Sequence, residues 1–126
     1  MPARRILIID DDDDVRESLE DLITSEGFEV SVARSAPAAL SDLTYGRIDP
    51  HAILIDMRMP SMSGAQFLAV MRKNPRWSRI PVILCSAGTV HPEACHGAFE
   101  VLEKPFNLAE LFSALNRAVA HGVMLG

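Results

Sequence analysis

The feature that most constrains the fold is the run Ala-Ile-Leu-Ile-Asp at residues 52–56, which is apolar and then abruptly charged. Four successive apolar residues, two of them β-branched, are typical of a strand buried on both faces. A carboxylate at the carboxyl end of such a strand lies where open α/β sheets bind their ligands. The run therefore predicts an α/β domain with Asp56 at its functional centre.

Four other short apolar runs have the same character. The predicted strands are residues 5–10, 28–32, 52–56, 81–85 and 99–102. Stretches with helical spacing separate most of them, and Asp14, with Glu17 three residues later, is the predicted N-cap of the first helix. Residues 91–97, before the fifth strand, are weakly helical at best. This alternation predicts a five-stranded parallel sheet with helices on both faces.

Length and composition limit the class of protein. The 126 residues suit a single domain over 1–126, and 48% hydrophobic with 23% charged residues indicates a globular chain. A net charge of −5 without a basic stripe argues against direct nucleic-acid binding, and no apolar run is long enough to span a membrane. Because Cys85 and Cys95 form no disulfide framework, the cytoplasm is the expected compartment.

Polar side chains follow the predicted strands where the strands end, and parallel strands put these ends at one edge of the sheet. They are Asp10 and Asp11 after the first strand, Asp56 in the third, Ser86 after the fourth and Lys104 after the fifth. Three neighbouring carboxylates are costly unless a cation joins them, and Mg²⁺ prefers such oxygen ligands. A lysine and a hydroxyl beside them complete a set suited to phosphoryl transfer to a carboxylate.

The order of these fragments carries a resemblance to a known family. They are Ile9-Asp10-Asp11, residues 54–60 with Gly64, Ser86-Ala87, and Lys104-Pro105-Phe106. Over essentially its whole length the chain resembles a response-regulator receiver domain of two-component signalling, CheY-like. The resemblance implies a flavodoxin-like sheet with strand order 2-1-3-4-5.

The resemblance also implies a role for the acidic residues. Asp56 would accept a phosphoryl group from a phosphohistidine of a sensor histidine kinase or a histidine phosphotransfer protein. Asp11 and Asp56 would bind Mg²⁺ directly, Asp10 mainly through water, and Arg58 through its backbone carbonyl.

The remaining family positions imply a switch. Ser86 and Lys104 would bind the phosphoryl oxygens, and the Lys104–Pro105 bond is expected to be cis. Their movement toward the new dianion would change a surface that a downstream effector protein or domain reads, and a homodimer is compatible with this role.

The sequence departs from the family pattern at two places. The family usually has an aromatic residue three positions before the lysine, where this chain has Val101, and a β-branched aliphatic cannot make the same rotamer switch. Ser86 and Lys104 are 18 positions apart, short of the usual spacing by about one helical turn. A shortened fourth helix is therefore expected, with phosphorylation preserved and an unusual output.

Two other functions compete with this interpretation. A degenerate receiver would act as an interaction module without phosphorylation. The intact set of acids, Ser86 and Lys104 argues against it, and Val101 and the short fourth helix favour it. A phosphoaspartate-type hydrolase would need a second acid two residues after Asp56, where Arg58 stands. The expected protein is thus no ordinary enzyme, but a switch that catalyses only its own phosphorylation and dephosphorylation.

Overall fold

The architecture is an open parallel sheet flanked by helices, seen in a computed structural model that describes residues 4–125 and the side chains of residues 4–122. The predicted domain, 1–126, extends beyond the described residues at both ends. The elements in order are β1 (Arg5–Ile9), α1 (Asp13–Ser25), β2 (Glu29–Ala33), α2 (Ala36–Thr44), β3 (Ala52–Asp56), α3 (Gly64–Lys73), β4 (Val82–Ser86), β5 (Glu100–Glu103) and α4 (Leu108–Leu125).

The strand order is β2-β1-β3-β4-β5, which confirms the expected 2-1-3-4-5 topology. Each neighbouring pair is parallel. The strand β1 ends one residue earlier than predicted, while β2, β4 and β5 each begin and end one residue later. The third strand has the predicted bounds, because an unbroken apolar run that stops at a charge defines both of its ends.

Two cores lie on opposite faces of the sheet, because successive side chains of a strand point to opposite faces. One core contains Ile8 and Leu54 from the central strands and Leu115 from α4. The other contains Ile55 from β3 and Phe67 from α3. The central strands β1 and β3 are buried on both faces, so the position and direction of their carboxyl ends are fixed by packing.

The first helix begins earlier than predicted. Its N-cap is Asp12, whose carboxylate accepts a hydrogen bond from the backbone N–H of Val15 at 3.1 Å, so the prediction of Asp14 as the cap was wrong. The backbone N–H of Asp12 itself donates to the carboxylate of Asp10 at 2.9 Å. This turn directs the chain into the helix immediately after β1, and Asp13 and Asp14 then lie in the first turn, where they complement the helix dipole.

The connection between β4 and β5 contains no helix. Residues 87–99, all of which the structure describes, form turns and extended chain. Isolated backbone hydrogen bonds join Ala94 to His91 and Ala98 to Cys95. The expected short helix is thus reduced to turns, in a connection shorter than the usual family spacing by about one helical turn. Cys95 and Ala98 still pack against the core that contains Ile55 and Phe67.

The last helix packs closely against the chain that enters β3. A Cβ atom added at Gly122 would overlap the backbone carbonyl oxygen of His51 and would lie 3.2 Å from Pro81 Cδ. Only a glycine allows this approach. Neither α4 nor any other helix within residues 4–125 is long and apolar enough to cross a membrane.

We predict that Gly122→Ala lowers the free energy of unfolding by about 1–3 kcal/mol, as overpacking does. Alanine favours a helix by about 1 kcal/mol over glycine, so a net loss would show that the contact with His51 outweighs helix propensity. Urea unfolding measures the change. Gly88→Ala is the matched control, because a Cβ there meets nothing within 4 Å. A variant at Gly122 as stable as the wild type would contradict the close packing.

Candidate functional site

The register of the sheet brings the predicted site residues to one edge. Ile9 lies opposite Ile55 in neighbouring strands, and Ser86 lies opposite Glu103. The residues at and just beyond these strand ends therefore meet above the middle of the sheet. Those predicted from the sequence to meet there are Asp10, Asp11, Asp56, Ser86 and Lys104.

Three carboxylates form the centre of the site. Asp10, Asp11 and Asp56 each offer one oxygen, and these oxygens lie within 4.8 Å of one another. Asp10 is buried, Asp56 is half-buried and Asp11 is exposed, so the group runs from the interior to the surface. Hard oxygen ligands with one open side fit Mg²⁺, which keeps several waters when it binds to proteins.

Burial raises the pKa of Asp10 above its ordinary value. The backbone hydrogen bond from Asp12 and the charge of Lys104 lower this pKa. The charges of Asp56 and Asp11 raise it further. The net rise in the pKa shows that the surrounding protein does not fully compensate the negative charge of ionised Asp10. A divalent cation beside the three carboxylates would supply the missing positive charge.

Lys104 provides the positive charge that the protein itself brings to the site. Its Nζ atom donates a hydrogen bond to Oδ1 of Asp56 at 3.1 Å. Burial alone would lower the pKa of Lys104, but the hydrogen bond and charge of Asp56, together with the charge of Asp10, outweigh burial and raise it. The backbone is fixed as well: the N–H of Lys104 donates to the carbonyl of Ser86 at 2.6 Å, and the bond to Pro105 is cis, as expected.

The Ser86 side chain lies at the edge of the site but is bonded elsewhere. Its hydroxyl donates to the backbone carbonyl of Gly88 at 2.7 Å and accepts from the N–H of the same residue at 3.3 Å. Ser86 is 7% exposed, so this small turn is largely shielded from water. Binding a phosphoryl oxygen would require the hydroxyl to leave Gly88, a conflict that the sequence did not reveal.

The loop after Asp56 is held close to the end of β3. A Cβ atom at Gly64 would lie 3.0 Å from the carbonyl oxygen of Asp56 and 3.0 Å from Cα of Met57, so a larger residue would displace the loop. The N–H of Gly64 also donates to the carbonyl of Met57 at 2.8 Å. Arg58 lies in this loop with an exposed side chain. The loop that contains Arg58 is thereby fixed beside the end of β3.

Sequence reasoning missed two structural supports of the site. Arg16 donates to the backbone carbonyl of Asp10 at 2.9 Å and forms an ion pair with Asp13, which fixes the turn after β1. Ser63 and Gln66 form a reciprocal capping box at the start of α3. The spacing of each pair, three residues within a first helical turn, was a visible signal for both.

Most of the chain matches the model of one known protein family. Residues 6–116 match the model of the response regulator receiver domain. This chain is a response-regulator receiver domain. Regulatory protein AtoC from Escherichia coli strain K12 is 39% identical in an alignment of 120 residues that covers 91% of this chain and 25% of AtoC. The receiver spans about a quarter to a half of such curated relatives.

Solved structures agree with the fold of the receiver. A receiver domain protein from Clostridium thermocellum superposes with a TM-score of 0.85 at 28% identity, covering 99% of this chain and 100% of the other. The response regulator TrrA from Thermotoga maritima, solved in complex with Mg(2+)-BeF, has a TM-score of 0.79 at 27% identity and covers 91% and 98% of the two chains. The recognition as a receiver and the predicted fold class are both confirmed.

We predict that Asp10→Asn stabilises the metal-free receiver at neutral pH. Because the pKa of Asp10 is raised on folding, its ionisation opposes folding fully above the folded pKa and not at all below the unfolded value near 3.8. The advantage of the variant should therefore disappear as pH falls toward 4. Urea unfolding across this range measures it, with Asp21→Asn on the exposed side of α1 as the control for removing one charge. A variant less stable than the wild type at pH 7 would refute this assignment.

Proposed function

We propose that the receiver takes a phosphoryl group on Asp56 from the phosphohistidine of a sensor histidine kinase or a histidine phosphotransfer protein, in a Mg²⁺-dependent reaction. The observation that carries the proposal is the contact of Lys104 with Asp56 beside two further carboxylates. The packing of the fold does not require a lysine and two acids to surround one half-buried carboxylate. They match what phosphoryl transfer to that carboxylate requires.

The residues suit distinct parts of the transfer. An oxygen of Asp56 attacks phosphorus, the P–N bond to the donor histidine breaks, and its electron pair stays on the imidazole nitrogen. Asp11 and Asp56 would hold Mg²⁺ directly, with Asp10 through water and the backbone carbonyl of Arg58 as a further ligand. When bound, the ion neutralises charge on the carboxylates and the phosphoryl oxygens. Lys104 binds the same oxygens from its position beside Asp56.

The transfer is also a switch, because it changes what Lys104 and Ser86 bind. The new dianion competes with Asp56 for Lys104 and with Gly88 for the Ser86 hydroxyl. Release of Gly88 frees the start of the connection 87–99, whose Cys95 and Ala98 pack against the sheet. We expect a downstream effector protein or domain to read this change. A homodimer is one form that the interaction can take.

Exposed apolar side chains support a protein as phosphodonor. Val15 and Leu22, which share one face of α1, are 40% and 37% exposed, and Leu108 at the start of α4 is 48% exposed. Apolar side chains that share one exposed face are typical of protein-binding surfaces. Both cysteines are free, which supports a location in the reducing cytoplasm, where such donors phosphorylate their partners.

Incubation with Mg²⁺ and an acyl phosphate, followed by intact-mass measurement, tests the phosphoacceptor. The wild type should gain one phosphoryl group, and Asp56→Asn should gain none because the amide is not a nucleophile. Asp21→Asn, which removes a charge far from the site, should react like the wild type. A wild-type protein that gains no phosphoryl group would favour the degenerate receiver, a phosphorylation-independent interaction module.

Asp11→Ala tests the metal ligands separately. Loss of a direct carboxylate ligand should weaken Mg²⁺ binding by at least about tenfold, since even outer-shell changes cost 10–100-fold. Isothermal titration measures the affinity. Asp14→Ala is the matched control, because Asp14 belongs to the same acidic run but lies within α1. Equal affinities for the wild type and Asp11→Ala would remove Asp11 from the metal site.

A further inference from the structure

A cavity of about 350 Å³ lies beside the carboxylates, between α1 and the loop that leads into α4. Its volume falls within the range of about 300–1,000 Å³ typical of small-molecule sites. Its apolar lining comes from three strands, from α1 and from the loop. The apolar lining residues include Ile8, Leu54, Cys85, Val15, Leu19 and Phe106.

The cavity is a cleft that is partly open to solvent, with its base formed by strands of the sheet. The strand residues at its base are almost fully buried: Ile8 is 0%, Leu54 is 1% and Cys85 is 4% exposed. Burial raises the pKa of the Cys85 thiol to about 12, so this side chain is neutral and behaves as an apolar group.

Charged groups line one end of the same cavity. Asp10, Asp56 and Lys104 contribute to its wall, and Asp11 adds a third carboxylate to the acidic group. Three carboxylates against one ammonium leave this end negative. A ligand that filled the apolar part would therefore gain from a positive group at this end, whereas an anionic group would be repelled.

We propose that this cavity binds a small apolar amine, with its ring or short chain among the apolar residues and its ammonium group on the carboxylates of Asp10 and Asp56. An ammonium has three N–H donors and can bond to oxygens of both residues. Because it would use oxygens that also hold Mg²⁺, the amine and the ion exclude each other. This last step rests on the proposed metal site, whereas binding of the amine does not.

Bound amine would hold the receiver in its unphosphorylated form. The ammonium group would occupy oxygens of Asp56 that attack the phosphoryl group, and it would displace the Mg²⁺ ion that the transfer requires. The cavity would thereby give the domain a chemical input besides the phosphodonor protein. Its ligand class would be primary amines that carry an aromatic ring or a short hydrocarbon chain.

Titration with 2-phenylethylamine tests the proposal, in Mg²⁺-free buffer and with methyl NMR signals of Ile8, Leu19 and Leu54 as the readout. We expect saturable shifts at these three residues. Phenylacetate and 2-phenylethanol have the same ring with an anionic or a neutral end, and both should bind at least tenfold more weakly. Equal binding of the alcohol would overturn the role of the carboxylates, and the absence of saturable shifts would overturn the site.

Cys85→Met tests the cavity itself by filling it from its base, and should weaken amine binding at least tenfold. Cys95→Met, in the connection between β4 and β5, is the matched control and should bind like the wild type. If Cys85→Met does not fold, Leu19→Phe fills the cavity from α1 and replaces it. Unchanged binding in a folded cavity-filling variant would overturn the site.

Competition and phosphorylation separate this proposal from the function proposed above. The apparent dissociation constant of the amine should increase linearly with the Mg²⁺ concentration. A dissociation constant that does not depend on Mg²⁺ would refute binding of the amine and the ion to the same oxygens. Intact-mass measurement shows whether the wild type accepts a phosphoryl group without amine. A protein that binds amine but is not phosphorylated would overturn the phosphoacceptor role and leave the cavity site standing.

Discussion

The mutual repulsion of three carboxylates is the constraint on which the site depends. Parallel strands bring Asp10, Asp11 and Asp56 together at one edge of the sheet, and folding buries Asp10 and half-buries Asp56. Lys104 and the backbone N–H of Asp12 compensate only part of this charge. The carboxylates therefore give this edge of the sheet an affinity for positive charge, and this single property underlies the proposed metal binding, phosphoryl transfer and amine binding alike.

The rest of the domain holds this unfavourable arrangement in place. The strands β1 and β3 are buried on both faces, so the acids at their ends cannot move apart without disturbing two cores. Gly64 keeps the following loop against the end of β3, and Arg16 fixes the turn after β1. The packing of the sheet thus holds the three carboxylates in an arrangement that their mutual repulsion alone would not allow.

The sequence predicted the strands to within a residue, and it predicted which polar residues would meet at one edge of the sheet. Both predictions were possible because buried strands that end in polar residues leave a strong local signal. The strand order came from the family resemblance and not from periodicity. The N-cap was misplaced because three successive aspartates have equal local propensity, and the turn at Asp10 decides between them. The Ser86 hydroxyl bonds to Gly88 in a local turn that we did not predict from the sequence. The cavity beside Cys85 depends on distant neighbours, which no local pattern encodes.

The turn that Ser86 forms with Gly88 has a consequence for the speed of signalling. A hydroxyl has a single hydrogen to donate, so the closed turn and a bond to a phosphoryl group are alternatives. Rotation of the Ser86 hydroxyl moves a single oxygen atom, whereas the rearrangement of a helix is a collective motion that takes microseconds or longer. With turns in place of a helix between β4 and β5, the first event after the proposed phosphorylation is an exchange of one hydrogen-bond acceptor for another.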